Sequence, residues 1–172
     1  MQANEILTLK VMDVASGTTM GSVSGMLIDG TKKQVVALEV GGSLLSPPDY
    51  LPFRGIKAIE NDVLTIASSA VLVVRGEYKT SGLVGHLSGR QVFTEDGKKL
   101  GTVHEYDIDT VSGEITFITV AIDTAVMGGL WHTVGERFDI PRSLITILGD
   151  CVIVDSSVPE KVQAVPSALP VT

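Results

Sequence analysis

Glu95-Asp96-Gly97-Lys98-Lys99-Leu100-Gly101-Thr102-Val103 decides the fold. Asp96-Gly97 supplies the positive φ that a tight hairpin needs, and Leu100 to Val103 open a strand running to about Ile108. Asp109-Thr110-Val111-Ser112-Gly113 forms the next turn. Ile115 to Ile122 is nearly all apolar, which predicts a strand buried on both sides or lying at a barrel seam. Phe138-Asp139-Ile140-Pro141, a short strand Leu144–Leu148, the turn Gly149-Asp150 and a strand Cys151–Val154 complete the pattern.

The same signals occur earlier in the chain. At an offset of 80, Leu7 meets Leu87, Lys10 meets Arg90, Met12 meets Val92, Gly17 meets Gly97 and Gly21 meets Gly101. Val23 meets Val103, Ile28-Asp29 meets Ile108-Asp109, and Val35, Leu38 and Val40 meet Ile115, Ile118 and Val120. The offset then becomes 89: Leu51-Pro52 meets Ile140-Pro141, Ile56 meets Ile145, and Val63-Leu64 meets Val152-Ile153. Chance does not hold one offset over 30 positions and then a second over a dozen more. The chain is a tandem duplication, each copy large enough for one small core. Turns at Ala15-Ser16-Gly17, Asp29-Gly30-Thr31 and Asn61-Asp62 give the first copy the same plan.

Short strands with turns every 8–12 residues predict an all-β fold of two tandem small antiparallel β-barrels, whose closure removes exposed sheet edges. The expected organisation is a first barrel over 1–78, a linker over 79–86, a second barrel over 87–157 and a flexible tail over 158–172. Helix is expected to be scarce outside linker, insertion and tail. The copies are expected to pack on each other with pseudo-two-fold symmetry, with homodimerisation as a further assembly open to them.

The second copy resembles the PRC-barrel family. The resemblance is carried by Leu87-Ser-Gly-Arg90-x-Val92, Asp96-Gly97-x-x-Leu100-Gly101-x-Val103, Asp107-Ile-Asp109, Gly113-Glu-Ile115 and Ile140-Pro141. The first copy keeps Gly17, Met20-Gly21-x-Val23, Ile28-Asp29 and Leu51-Pro52. The family includes the cytoplasmic domain of the photosynthetic reaction-centre H subunit and the C-terminal barrel of a ribosome-maturation factor. The resemblance implies a scaffold that binds other macromolecules. It implies no catalytic residues, because the shared positions are glycines, core aliphatics and turn acids.

Composition narrows the function classes. The net charge is -7, and the acidity is uneven: eight acidic against seven basic side chains in residues 1–80, twelve against six in 81–172. No basic block is present, so direct nucleic-acid binding is not expected, and an electrostatic partner of the second half should be basic. The lone Cys151 excludes an intrachain disulfide and is expected to be buried and inert. No signal peptide and no apolar run of membrane-spanning length stand out, so a cytoplasmic protein is expected.

Chemistry-bearing clusters are sparse. Glu105, Asp107 and Asp109 invite a cation-site reading, but acids before a turn cap or nucleate it. His86, His104 and His132 lack metal-ligand spacing. No nucleophile elbow, phosphate loop or dinucleotide fingerprint occurs. The expectation is a protein without enzymatic activity, cofactor or metal. The nine-residue insertion between Asp123 and Phe138 is the best functional candidate. It holds Met127, Leu130, Trp131, the only Trp, and His132, with Arg137 at its end, and Trp, Met and Arg are enriched at interfaces. A loop folded over its own barrel mouth is the competing reading. The leading function is a protein-interaction adaptor with a partner of unknown identity. A small-molecule or metal-binding domain, or an accessory role in RNA processing, is the alternative.

Overall fold

The computed structural model describes residues 1–74, 78, 82–123 and 137–159. Its strands are β1 (Lys10–Asp13), β2 (Thr18–Asp29), β3 (Gln34–Val40), β4 (Asp49–Pro52), β5 (Ile56–Glu60), β6 (Val63–Ile66), β7 (Leu83–Val84), β8 (Gln91–Thr94), β9 (Lys99–Ile108), β10 (Ile115–Ile122), β11 (Arg137–Pro141), β12 (Ile145–Leu148) and β13 (Cys151–Val154). One sheet runs β4-β3-β2-β1-β6-β5, with β7 added to β2; the other runs β11-β10-β9-β8-β13-β12. The two orders are identical position for position, as a duplication requires. Among the described residues no helix is long and apolar enough to cross a membrane.

Each sheet departs from a purely antiparallel ladder at one pair. β1 lies parallel to β6 and β8 parallel to β13. Each repeat therefore joins its first strand to its last. The chain folds as two tandem small β-barrel-like domains, as expected, although in these strand orders β4 and β5, or β11 and β12, stand at opposite ends and not side by side. A single 3₁₀ turn, Phe53–Gly55 or Arg142–Leu144, links the two end strands covalently instead. In the first repeat Tyr50 and Val73 exchange backbone hydrogen bonds of 2.9 and 2.8 Å, which covers part of the β4 edge.

Contacts divide the chain into two units, Met1–His86 with Asp107–Ile115, and Leu87–Tyr106 with Thr116–Thr172. In the first, Val11, Val23, Met26, Ile28, Val35, Leu38, Val40, Leu51, Leu64 and Ile66 are buried. The tip segment Asp107–Ile115 belongs to this unit: Val35 N donates to Gly113 O at 2.8 Å and Ile115 N to Lys33 O at 2.9 Å. β7 pairs with Ile28 and Asp29, so the stretch read as linker contains a strand. A four-residue helix α1 (Ala3–Ile6), not expected from the sequence, buries Ala3 and Ile6, and Glu5 Oε2 accepts the Gln2 amide at 2.9 Å.

In the second unit Leu87, Val92, Leu100, Val103, Tyr106, Ile118, Val120, Ile140, Ile145, Val152 and Val154 form the core. Tyr106 fills the place of Met26, and its hydroxyl accepts the Leu87 amide at 3.5 Å. Burial pushes that hydroxyl far above the ordinary tyrosine value, so it stays protonated and structural.

Registers correct the sequence alignment in two places. Val11 pairs with Gly21 and Val92 with Gly101, so Val11, not Met12, is the counterpart of Val92. Met12 is 36% exposed whereas Val11 and Val92 are fully buried. The Asp13–Gly17 turn holds one residue more than Thr94–Gly97, which restores the offset of 80 by Gly17. Lys10 pairs with Val63 and Gln91 with Cys151, so Leu64 matches Val152, not Ile153. A bulge between Ile56 and Ala58 absorbs the difference.

Two burial expectations also change. β10 is not buried on both sides: Ile115, Ile118 and Val120 are buried while Thr116 is exposed, because its sheet packs on one face. Cys151 is half-buried, because Val152 and Val154 take the inward positions and the alternation turns Cys151 and Ile153 the other way.

Candidate functional site

The connection between β10 and β11 is where the repeats differ most. Val40 pairs with Asp49, leaving residues 41–48 between them, whereas Val120 pairs with Phe138, leaving 121–137. The insertion thus falls where the sequence predicts it. Its root is held by backbone. A Cβ on Gly101 would lie 1.9 Å from the Ala121 carbonyl oxygen, so only glycine lets the outgoing chain cross β9 this closely. Asp123 N donates to Leu100 O at 3.1 Å, and the Asp123 carboxylate lies 3.6 Å from Lys99 Nζ. On the returning side Thr119 Oγ1 donates to Asp139 Oδ1 at 2.6 Å. Glu39 and Tyr50 make the corresponding cross-strand pair in the first repeat, at 3.2 Å, with donor and acceptor exchanged between strands.

Arg137 starts β11 opposite Ala121 and is exposed. Met127, Leu130, Trp131 and His132 lie outside the described residues. Arg137 is therefore the one predicted contact residue that the structure places, at the mouth of the insertion.

The acids singled out from the sequence serve the turns and ladders. Asp109 Oδ1 accepts the Val111 and Ser112 amides at 2.9 and 2.8 Å and the Ser112 hydroxyl at 3.1 Å. The Ser112 and Val111 amides hold its carboxyl below the ordinary aspartate value. Asp107 lies 3.1 Å from the Met1 nitrogen, and buried Glu105 accepts the Tyr106 amide at 2.9 Å. His104 is exposed and His86 half-buried. Among the described residues no three His, Cys, Asp or Glu side chains gather as metal ligands would.

Buried Asp13 organises the first repeat's turn. Burial opposes its ionisation, but amides of Ser69, Ser16 and Ala15 outweigh that and hold the carboxyl below the ordinary value. Thr94 is its buried counterpart, accepting the Lys98 amide at 3.0 Å. An open cleft in the second unit is lined by Ser88, Gly89, Arg90, Gln91, Asp150 and Cys151. Arg90 Nη1 donates to the Gly149 carbonyl there.

Sequence reading passed over one surface feature. Leu44 and Leu45 sit at the apex of the β3–β4 hairpin and are 104% and 98% exposed, as open as side chains in an extended peptide. The apex is tight: Ser43 N donates to Ser46 O at 2.8 Å, Ser46 N to Ser43 O at 3.3 Å, and Ser43 Oγ accepts the Leu45 amide at 3.3 Å. Two apolar residues where turns favour Gly, Asn or Asp were the available signal.

Comparison with family models finds the PRC-barrel domain twice, over residues 1–73 and 84–157. No curated protein matches the chain.

Proposed function

The chain belongs to the PRC-barrel family, in two tandem copies that take up most of its length, and from that premise we propose that it is a non-enzymatic protein-interaction adaptor. The observation that carries the reading is the unequal β-hairpin connection. Both repeats need the same core and turns to fold, and both have them. Only the second spends nine further residues between registered strands, with Trp131, Met127 and Leu130 among them. An interface contact explains large apolar side chains at that position. Arg137 and His132 would supply its polar rim, and the acidic second half favours a basic partner surface. A lone thiol, Cys151, fits a reducing, cytoplasmic setting.

Trp131→Ala tests the reading. A hot-spot Trp should cost on the order of 2 kcal/mol of partner affinity with the melting temperature nearly unchanged. A Trp that merely covers the barrel mouth should instead cost roughly 3–5 kcal/mol of stability. Thermal melts and quantitative binding on the same purified variant separate the two, and full partner affinity in the variant rejects the adaptor site.

A further inference from the structure

Most turns of this fold are built from Asp, Asn, Ser and Gly: Asp13 to Gly17, Asp109 to Gly113, Asn61-Asp62 and Gly149-Asp150. The β3–β4 apex breaks that rule with Leu44 and Leu45, neither of which has a positive φ. The loop beneath is shaped by glycines and proline. Gly41 and Gly42 have φ of 67° and 91°, and a Cβ on Gly42 would lie 3.1 Å from Pro48 N. Two rare glycine conformations, two prolines (Pro47 and Pro48) and a closed Ser43–Ser46 pair thus hold a stiff support under two leucines that contribute no burial to the fold. Local chemistry that opposes turn preference without an evident folding gain points to function. The counterpart connection in the second repeat carries Met127, Leu130 and Trp131, so large apolar residues occupy the same topological position twice.

We propose that Leu44 and Leu45 form a docking finger for a concave apolar pocket, rimmed by basic residues, on a partner protein. This rests on the adaptor reading above and adds a second contact point to it. Charge chooses the occupant. Asp49 is exposed at the finger's root, whereas Glu39 is half-buried and accepts the Tyr50 hydroxyl. That exposed carboxylate beside the leucines disfavours an anionic bilayer surface and complements a basic group at a pocket's rim. Rigidity agrees with that choice. A preformed apex saves ordering cost on entering a shaped pocket, whereas a fluid bilayer places no such demand on shape.

A photo-crosslinking side chain placed at Ser46 of the full-length chain identifies the occupant in cells. The captured protein is then purified and titrated against wild type, Leu44→Ser, Leu45→Ser, the double variant and Trp131→Ala. Each leucine replacement should weaken binding about 30-fold, at hot-spot scale, with the melting temperature unchanged because both side chains are already in water. Affinity should also fall as salt rises. A double variant that binds within twofold of wild type overturns the finger. If Trp131→Ala weakens binding in that same experiment, the adaptor reading survives; if neither change matters, both fall. Leucine-dependent sedimentation with phosphatidylcholine vesicles, with no leucine-dependent protein partner, assigns the finger to lipid and overturns the proposal. Leucine-dependent self-association in sedimentation velocity overturns it equally.

Discussion

Replacing Gly101 with Ala isolates the packing that holds the root of the insertion. Gly101 does not have a positive φ, so alanine meets no backbone penalty there. The penalty is steric: the new Cβ would lie 1.9 Å from Ala121 O, 2.9 Å from Ala121 C and 3.1 Å from Ile122 Cα. All three are backbone atoms in a strand, so no rotamer change relieves them. A comfortable contact needs the strands to part by more than about 1 Å, which stretches adjacent ladder hydrogen bonds. Overpacking costs about 1–3 kcal/mol or more, and one or two weakened hydrogen bonds add about 1 kcal/mol each. The expected loss is about 3–4 kcal/mol, or roughly 6–16 °C in Tm for a chain of this size. Gly97→Ala is the control. Its φ is 84° and nothing lies within 4 Å of the added Cβ, so it should cost only the left-handed penalty of about 1 kcal/mol. Guanidinium titrations of both variants measure the difference. A Gly101→Ala loss no larger than that of Gly97→Ala would refute the close-approach argument.

Gly113→Ala combines both penalties, with φ of 77° and a Cβ 2.7 Å from Val35 O and 2.9 Å from Phe53 Cδ1. It should destabilise by about 2–4 kcal/mol in denaturant titrations, and a loss below that of Gly97→Ala would contradict the contact. Asp13 has a folded pKa below the ordinary 3.8. Its contribution is therefore complete above that value and is lost as pH falls through the folded pKa. Asp13→Asn should reduce stability at neutral pH and flatten the acid limb of a melt series from about pH 7 to pH 2; superimposable limbs would count against the ionised carboxylate.

Topology was legible because core and turn chemistry are repeated. Val23 and Val103, Ile28 and Ile108, and Leu38 and Ile118 are buried pairs at one offset, and no single-copy pattern gives that redundancy. What failed was register at Met12 and at Val63. A lengthened turn and a bulge each add one residue without changing composition, so aligned letters stay similar while the inward face switches. Cys151 was misjudged for a related reason, since a four-residue apolar strand does not announce which two positions face in. The parallel β1–β6 pairing is a long-range choice that local periodicity does not encode. At the candidate site, the extra residues between Asp123 and Phe138 could be counted from sequence, whereas Leu44 and Leu45 read as ordinary apolar residues until their exposure was known.

The pairing of first strand with last in each repeat governs when this chain can mature during its synthesis. β1 is made early, but its neighbour β6 follows only after more than forty intervening residues, and β8 waits similarly for β13. The first unit waits longer still, because Gly113 and Ile115 supply hydrogen bonds to Val35 and Lys33. At about 5–20 residues per second, β1 spends seconds with one flank unpaired. Pairings so distant in sequence are slow to form and exposed to aggregation meanwhile. The nascent chain reaches its finished state late, and a ribosome pausing between Val84 and Asp107 would hold a first repeat whose own strands are complete but whose last contacts have yet to be synthesised.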